Sequence, residues 1–388
     1  MTAALHAINN TDRNGYVFTS ESVSEGHPDK ICDQISDAIL DAYLKADPHS
    51  KVACETLATE NRIVLSGEVS SRATIDIETI VRKTIKDIGY IHPDKGFDYN
   101  CVINNYLHKQ EAALEENTGA GDQGLMFGYA CSQTKNLMPV PIELAHKLLF
   151  NLASARKNGT IKHLLPDSKS QVSMRYLGRK AVDLKCLVIS THHDILRETE
   201  FEELKEQIKQ LVILPSIADI EDECKGYFDT KNCEIKINPL GPWQDGGPAF
   251  DTGLTGRKII VDTYGGWAQH GGGAFSGKDA TKVDRSAAYM ARHIAKSIVA
   301  SGLAGECLIQ FSFVIGEHKP VSLMVDTFGS GKESDAEIER IIARNFDLTV
   351  EGIIDYLDLR KPIYFPTASY GHFGREGFSW ERVKHISR

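Results

Sequence analysis

The chain contains no pair of cysteines at C-x-x-C spacing, although its 388 residues include eight cysteines. Without such a pair, the sequence does not indicate a zinc site. Scattered cysteines are typical of reduced thiols in a reducing compartment, where disulfides are rare. A chain of this length can bury a large core without disulfides, and its length predicts two or three domains.

Long apolar runs and an excess of positive charge are also missing. No stretch approaches the length of a transmembrane helix, and residues 1–14 have no apolar core of the kind found in signal peptides. The formal net charge of -9 at pH 7 argues against a general nucleic-acid or membrane-surface binder. We therefore expect a cytoplasmic protein without nucleic-acid or membrane partners, in which any polyanionic ligand requires a local basic pocket.

Helical and strand-like patterns alternate along the chain, and pairs of strands are joined by short turns. This arrangement favours an α+β fold over a doubly wound sheet. Helices are predicted at 77–88, 142–155, 201–211, 282–300 and 338–345, and strands at 16–19, 52–57, 63–69, 102–107, 125–129, 172–176, 184–190, 258–263, 309–315 and 321–325.

A further helix begins near Pro28. Its apolar residues recur at three- and four-residue spacing, which predicts a buried stripe that includes Ile31, Ile35 and Ile39. Three aspartates, Asp33, Asp37 and Asp41, share the opposite face, which we expect to be solvated.

Residues 119–124 match G-x-G-x-x-G, the pattern of dinucleotide-binding turns. That fold requires a strand before the glycines and a helix after them. Here an acidic loop at 115–117 comes first and a strand-like segment at 125–129 follows. NAD binding is therefore rejected, and a tight turn between strands is the alternative to a ligand loop.

Residues 272–278 match G-x-x-x-x-G-K, but Asp279 stands where a P-loop requires Ser or Thr. A P-loop kinase or ATPase is therefore not indicated. The segment still favours anion binding, because glycines allow backbone amides to approach oxygens, Lys278 adds charge, and a helix is predicted to begin at Lys282. A purely structural loop is the alternative.

The segment from Gly26 to Lys30 is a second helix start. His27 and Lys30 can face an anion and Asp29 can hold a metal, although an ordinary helix cap is equally compatible. Basic and acidic residues also alternate further along the chain, which suggests a site for phosphate and magnesium: Asp251, Arg257, Lys258, Lys278, Asp279, Lys282 and Asp284.

Together these segments resemble the S-adenosylmethionine synthetase (methionine adenosyltransferase) family, over about residues 18–381. The resemblance rests on the motifs at 20–30, 119–128 and 271–279, supported by 253–258 and 370–375. It implies that methionine sulfur attacks C5′ of ATP, and that the released triphosphate is then hydrolysed to pyrophosphate and phosphate. A thioether is already nucleophilic, so the main tasks are alignment and stabilisation of a highly charged leaving group.

The resemblance also implies roles for individual residues. The catalytic set would be His27, Lys169, Arg257 and Lys278. ATP and its phosphates would contact these residues together with Asp167, Trp243, Asp251, Lys258, Ala274 and Lys282. Methionine would contact Glu68, Gln110, Asp122, Asp251 and Lys282. Asp29 and Asp284 would hold Mg²⁺, two ions per site, and Glu55 would help place K⁺.

The fold implied by the resemblance has three similar α/β-sandwich domains related by a pseudo-threefold axis. We expect them at residues 16–112, 125–241 and 245–382. Members of the family assemble as homodimers or homotetramers, and the active site, which binds ATP and L-methionine, lies between subunits.

Two features depart from the family pattern. The gating loop after Lys109 and Gln110 is short, since only residues 111–118 precede the Gly119 motif. We therefore expect weaker gating. Trp243 stands where the family usually has Phe, and its ring could stack on adenine or serve only to pack the loop.

Two alternatives to an active synthetase remain at the level of sequence. One is a catalytically weak homologue that acts as a regulatory or scaffold subunit, which the short loop would favour. The retained His27, Asp29, Lys169, Arg257, Lys278 and Asp284 argue against it. The other is a different ATP-dependent enzyme, such as a kinase.

Overall fold

The computed structural model describes residues 15–111, 117–224 and 228–386. The strands are β1 (Gly15–Val23), β2 (Lys51–Thr59), β3 (Arg62–Ser70), β4 (Val102–Lys109), β5 (Gly124–Cys131), β6 (Leu164–Leu177), β7 (Lys180–His193), β8 (Glu234–Ile237), β9 (Gly253–Leu254), β10 (Glu306–Phe313) and β11 (Ser322–Asp326). The helices are α1 (Pro28–Ala46), α2 (Ile77–Ile88), α3 (Val140–Lys157), α4 (Glu198–Ile208), α5 (Leu214–Glu223), α6 (Ile259–Asp262), α7 (Val283–Ala300), α8 (Asp335–Asn345) and α9 (Val350–Tyr356).

Three sheets form the framework, and each packs against one long helix. The first sheet has the order β4-β3-β2-β9 and packs against α1. The second has the order β1-β6-β7-β8 and packs against α3, and the third has the order β11-β10-β5 and packs against α7. Mixed and antiparallel sheets with helices on one face confirm the predicted α+β class.

Each sheet is completed by a strand from another part of the chain. β1 pairs with β6 in the second sheet, from Gly15 opposite Leu177 to Val23 opposite Lys169. Further along the chain, β5 pairs with β10 in the third sheet, and β9 pairs with β2 in the first. The next long helix after each of these strands packs on a different sheet from the strand itself. This cyclic exchange of strands ties the three sheets together. Since each sheet contains strands from more than one of the predicted ranges, the sheets do not test the predicted domain boundaries, which stay a prediction.

Several predicted elements are confirmed. The buried stripe of α1 forms as expected, with Ile31, Ile35 and Ile39 fully buried. α2 has the predicted bounds, because the Asp76 side chain accepts the amide of Thr79 at its start and Gly89 adopts a φ of 116° at its end.

The strand predicted at 258–263 is wrong, because residues Ile259–Asp262 form the short helix α6. β-branched residues favoured a strand. Tertiary contacts decide otherwise: the Asp262 side chain pairs with Lys30, and its carbonyl accepts the amide of His372. Within the described part of the chain, no helix combines the length and apolar character needed to cross a bilayer.

Candidate active site

The four aspartates of α1 at four-residue spacing form a row that fixes three segments of the chain, at 254–256, 277 and 364–365. Each carboxylate accepts a hydrogen bond from at least one backbone amide. The donors are the amide of Leu254 to Asp29 at 2.9 Å, Gly256 to Asp33 at 2.9 Å, Gly277 to Asp37 at 2.8 Å, and Tyr364 and Phe365 to Asp41 at 3.0 and 2.8 Å. We call Asp29, Asp33, Asp37 and Asp41 the aspartate row.

Cations compensate the charge of this row. Arg285, in the first turn of α7, donates to both carboxylate oxygens of Asp37, at 2.7 and 2.8 Å, and to the carbonyl of Lys278 at 3.1 Å. The prediction that this face of α1 is solvated is therefore wrong, since Asp33 and Asp37 are both 0% exposed. Buried carboxylates are tolerated where cations and amides satisfy them.

Lys30 also lies elsewhere than expected. Its side chain is fully buried and donates to Asp33 at 2.9 Å and to Asp262. These two carboxylates raise the pKa of Lys30, although burial alone would lower it. The expectation that Lys30 faces an anion is therefore wrong, because its charge is already neutralised inside the fold.

His27 is the N-cap of α1 and the centre of the first functional cluster. Its Nδ1 accepts the amide of Asp29 at 3.1 Å, so the ring proton is on Nε2. Burial, together with the nearby charge of Lys258, lowers the pKa of His27 to about 3. The ring is therefore neutral near pH 7, with one N–H available to donate.

Asp29 connects His27 to two basic residues. Lys258 Nζ lies 2.6 Å from one carboxylate oxygen and Arg257 Nε lies 3.6 Å from the other. Burial alone would raise the pKa of Asp29, but the hydrogen bonds from Lys258 and the Leu254 amide hold it below its usual value. Asp29 is thus an anionic group beside two cations.

Asp167 and Lys169 approach the same place from β6. A Cβ on Gly26 would lie 2.3 Å from Pro166, so only glycine allows this close approach of the two segments. Lys169 is exposed, and its charge contributes to the pKa values of both His27 and Asp167. We call His27, Asp29, Asp167, Lys169, Arg257 and Lys258 the His27 cluster.

Asp167 has an unusual environment within this cluster. One carboxylate oxygen accepts the amide of Gly247 at 3.0 Å, and the other is buried with no partner among the described residues. Burial raises the pKa of Asp167 to about 7, and the neighbouring charge of Asp251 acts in the same direction. Asp251 itself is exposed.

Trp243 lies at the edge of the second sheet, half-buried. Its indole N–H donates to the carbonyl of Asp245 at 2.8 Å, and its ring lies 6.0 Å from that of His192, tilted by 34°. These contacts fix the position of the ring, and stacking on adenine stays a prediction.

The second cluster surrounds Lys278 and the first turn of α7. Lys278 Nζ lies 2.6 Å from Asp284, and Lys282 Nζ lies 2.6 Å from Asp279. A Cβ on Gly273 would lie 2.2 Å from Cγ of Asp284, so the glycine loop wraps closely around this carboxylate. We call Lys278, Asp279, Lys282 and Asp284 the Lys278 cluster; Ala274 is half-buried in the same loop.

Besides Asp251, three of the predicted methionine-binding residues lie outside the two clusters, namely Glu68, Gln110 and Asp122. Gly121 donates to the carbonyl of Thr281 at 3.2 Å, which places the turn containing the exposed Asp122 beside the Lys278 cluster. Gln110 is buried, and its backbone N–H donates to the carbonyl of Val69 at 3.3 Å. Its side-chain oxygen has no partner within the described residues.

Glu68 is half-exposed on β3, and Glu55, expected to place potassium, is exposed on β2. The strand that begins at Gly124 directly after the 119–124 turn agrees with the rejection of a dinucleotide site. Residues 112–116, most of the short loop on which the gating expectation rests, lie outside the described residues.

Most of the predicted residues for phosphate and metal binding thus fall into two clusters within one chain. Among the described residues, no side-chain hydrogen bond or ion pair joins the two directly. They are linked through α1, where Asp29 and Asp37 are about 12 Å apart along the axis. The sequence analysis did not predict that Asp37 and Arg285 fix the Lys278 loop. The only sequence signal for this role was the four-residue spacing of the aspartates.

The acidic groups of the two clusters also bear on metal binding. No group of three or more His, Cys, Asp or Glu side chains suited to a metal ion occurs in the described ranges. Asp29 and Asp284 stand apart, each beside a lysine. This donor set fits magnesium, which is usually bound by one or two carboxylates plus substrate phosphates.

Three models of known domains match the chain in order along its length. They are the N-terminal domain of S-adenosylmethionine synthetase over residues 15–112, the central domain over 117–243 and the C-terminal domain over 245–382. The chain belongs to the S-adenosylmethionine synthetase family. It is 50% identical over 383 residues to an S-adenosylmethionine synthase of Desulfosudis oleivorans, covering 95% of this chain and 96% of that protein.

Membership of this family confirms the three-domain architecture and the activity of a methionine adenosyltransferase. ATP and methionine are the substrates of the family, and its members use a divalent metal ion. Neither the comparisons nor the fold favours the regulatory-subunit alternative.

Proposed function

We propose that this chain transfers the adenosyl group of ATP to the sulfur of L-methionine, with the triphosphate bound between a His27 cluster and a Lys278 cluster. One observation supports this assignment above others. Two lysine–aspartate pairs, Lys258 with Asp29 and Lys278 with Asp284, occur at the N-terminal turns of two long helices, each at 2.6 Å. Helix N-termini attract anions, and such pairs can exchange partners when phosphate and metal arrive together.

In this proposal the metals are two Mg²⁺ ions, one at Asp29 and one at Asp284, and a K⁺ ion near Glu55. When bound, Mg²⁺ would offset the negative charge that develops on the leaving triphosphate. The lysines released from the two aspartates would then contact phosphate oxygens directly. The low pKa of Asp29 supports this role, since the carboxylate stays ionised.

His27 acts as a neutral hydrogen-bond donor. Its Nδ1 is occupied by the Asp29 amide, so Nε2–H donates to a phosphate oxygen beside the C5′–O bond that breaks. Lys169, Arg257 and Lys258 add positive charge on the same side. Removal of one such donor commonly costs about 3–4 kcal/mol of transition-state stabilisation.

Two of the groups that position the substrates have a buried oxygen without a partner among the described residues. Asp167 has one buried oxygen free to accept from the nucleoside, with Trp243 and Asp251 nearby, and Gln110 has a buried oxygen free to accept from methionine. Glu68, Asp122, Asp251 and Lys282 complete the methionine contacts, and Ala274 lies against the nucleotide. This alignment places the sulfur in line with C5′.

The active site forms between two subunits of a homodimer in this proposal, and the family pattern includes pairs of such dimers as homotetramers. The separation of the two clusters along α1 supports this arrangement, because the His27 cluster of one subunit can then face the Lys278 cluster of a second subunit. A twofold axis would create two equivalent sites per dimer.

Product analysis tests the function. Purified protein is incubated with ATP, L-methionine, Mg²⁺ and K⁺, and the products are identified by mass spectrometry. We expect S-adenosylmethionine with equal amounts of phosphate and pyrophosphate. ADP would instead indicate a kinase, and the absence of any product would favour a regulatory subunit.

A further inference from the structure

A cavity of about 300 Å³ lies between α3 and the loop at 370–375. None of its lining residues belongs to the His27 cluster or to the Lys278 cluster. Met138, Phe150 and Phe373 form apolar walls. The charged groups of the lining are Arg375, Glu143, and Lys147 with Glu223, which pair with each other at 3.0 Å. Its volume is at the lower end of the range for small-molecule sites.

Arg375 has no counter-ion among the residues that the structure describes. One guanidinium nitrogen, Nη1, donates to the carbonyls of Pro366, Ser369 and Gly371 at 2.8, 2.9 and 3.0 Å. Within the described residues, no carboxylate lies at ion-pair distance from it. Burial lowers the pKa of Arg375, which is the opposite of what an ion pair would do. A desolvated guanidinium of this kind is stabilised by a planar anion that it can bind with two hydrogen bonds.

Two other polar groups of the cavity wall each have one buried atom without a hydrogen-bond partner among the described residues. Glu143 accepts from Asn136 through one oxygen, and its second oxygen has no such partner. His146 is 8% exposed, and its Nε2 is likewise without a partner there. Buried polar atoms are rarely left unsatisfied. Burial raises the pKa of Glu143 to about 7, and in its protonated form this carboxyl group can donate to an anionic occupant.

The cavity is also connected to the segment that contains His27. Nδ1 of His146 hydrogen-bonds to Ser22 Oγ at 2.8 Å, and the hydroxyl of Tyr370 accepts the amide of Glu25 at 3.2 Å. Both Ser22 and Glu25 belong to the segment 22–27 that leads into α1. The same Tyr370 packs edge-to-face on Phe150 at 5.6 Å.

We propose that this cavity binds a small carboxylate with an aromatic or apolar body, whose carboxylate pairs with Arg375, and that binding restrains segment 22–27. The apolar body packs between Phe150 and Phe373. The carboxylate fixes the position of Arg375 and so restrains the loop at 370–375. Tyr370 in this loop contacts Glu25. The site is an effector site, separate from the substrate clusters, and binding there can be measured without catalysis.

The probe is 3-phenylpropanoate, compared with its neutral isostere 3-phenylpropanamide. Binding to the full-length protein is titrated by saturation-transfer difference NMR in the presence of excess L-methionine, which occupies the substrate site. We expect the carboxylate to bind at least about tenfold more tightly than the amide, the difference of a charge-assisted hydrogen bond. Equal binding of the two probes, or no binding of either, would overturn the proposal.

Three variants locate the site. Arg375→Gln removes the charge and should weaken 3-phenylpropanoate binding about tenfold or more, while leaving the amide unaffected. Phe150→Ala, at a half-exposed wall position, should weaken both probes, and it serves if Arg375→Gln does not fold. Ile195→Ala, at an exposed apolar position outside the cavity, should change nothing. Unaltered binding in both Arg375→Gln and Phe150→Ala would contradict the assignment.

Hydrogen exchange tests the connection to His27. With 3-phenylpropanoate bound, amides of residues 22–27 should exchange several-fold more slowly than in the free protein, and the effect should be absent in Phe150→Ala. Unchanged exchange in this segment, despite binding, would refute the restraint. Because neither readout involves turnover, failure here is distinguishable from failure of the proposed function.

Discussion

At the scale of single residues, Asp167 combines a proposed role in nucleoside binding with a cost in stability. Its carboxyl group is buried, and burial raises its pKa from 3.8 to about 7. The folded state therefore binds a proton more tightly than the unfolded state does. Stability from this group is complete below about pH 4 and is lost as the pH rises to 7.

Asp167→Asn should consequently stabilise the folded protein and weaken its affinity for ATP. The gain should increase from pH 4 to 7, level off above pH 7 and reach at most roughly 4 kcal/mol. The free energy of unfolding, measured by urea titration at several pH values, checks this result. Asp183→Asn, at a surface ion pair, is the control and should give no such gain. An Asp167→Asn variant that is less stable at pH 8 than the wild type would contradict the account, as would full ATP affinity.

Lys278 provides the corresponding test of charge neutralisation. Lys278→Met should reduce kcat by about 10²–10³-fold, because a positive group beside the leaving triphosphate is lost. The fold should survive, since the side chain is 27% exposed. Lys83→Met, at an exposed ion pair with Asp87 on α2, is the matched control and should leave kcat unchanged. Near-normal turnover of Lys278→Met would remove this residue from the catalytic set.

At the scale of elements, the aspartate row makes α1 the common support of both clusters. Asp37→Asn leaves Arg285 buried with only part of its compensation, which should cost about 3–5 kcal/mol of folding stability. The loss is measured by urea unfolding. Asp76→Asn, at the exposed N-cap of α2, should cost far less.

The double variant Asp37→Leu with Arg285→Leu separates stability from positioning. Replacing both charges should recover much of the stability lost in Asp37→Asn, as expected for a buried pair replaced by apolar residues. Turnover should stay low, because Gly277 and the carbonyl of Lys278 lose their anchors. A double variant that regains both stability and turnover would show that the pair does not position the loop.

Local patterns were sufficient for some elements and insufficient for others. The helices at 77–88 and 283–300 follow from apolar periodicity and recognisable ends, because their amphipathic faces are local properties. The burial of charged residues on α1 could not be predicted, because their partners are distant in sequence. Arg285, which pairs with Asp37, and Asp262, which pairs with Lys30, each lie more than 200 residues away. The same holds for residues 258–263, where contacts with distant residues override β propensity. The motifs did identify the residues of both clusters, but their separation within one chain depends on the fold.

At the scale of the whole molecule, the exchange of strands predicts that the domains depend on one another. A fragment of residues 16–112 contains β1 without β6, and its sheet lacks β9. We expect this fragment to be unfolded or aggregated, because unpaired edge strands promote association. Two-dimensional NMR of the fragment checks this result. Dispersed amide signals typical of a folded monomer would contradict it.

The central claim is that the triphosphate lies between the His27 cluster of one subunit and the Lys278 cluster of another. Two differently tagged variants, His27→Ala and Lys278→Met, are co-expressed, and the mixed oligomer is isolated by tandem affinity purification. Each variant alone should be nearly inactive. The mixed dimer should recover about half of the wild-type turnover, because one of its two sites then has both intact clusters. If the mixed dimer is as inactive as its parents, the two clusters do not meet between subunits and the account is wrong.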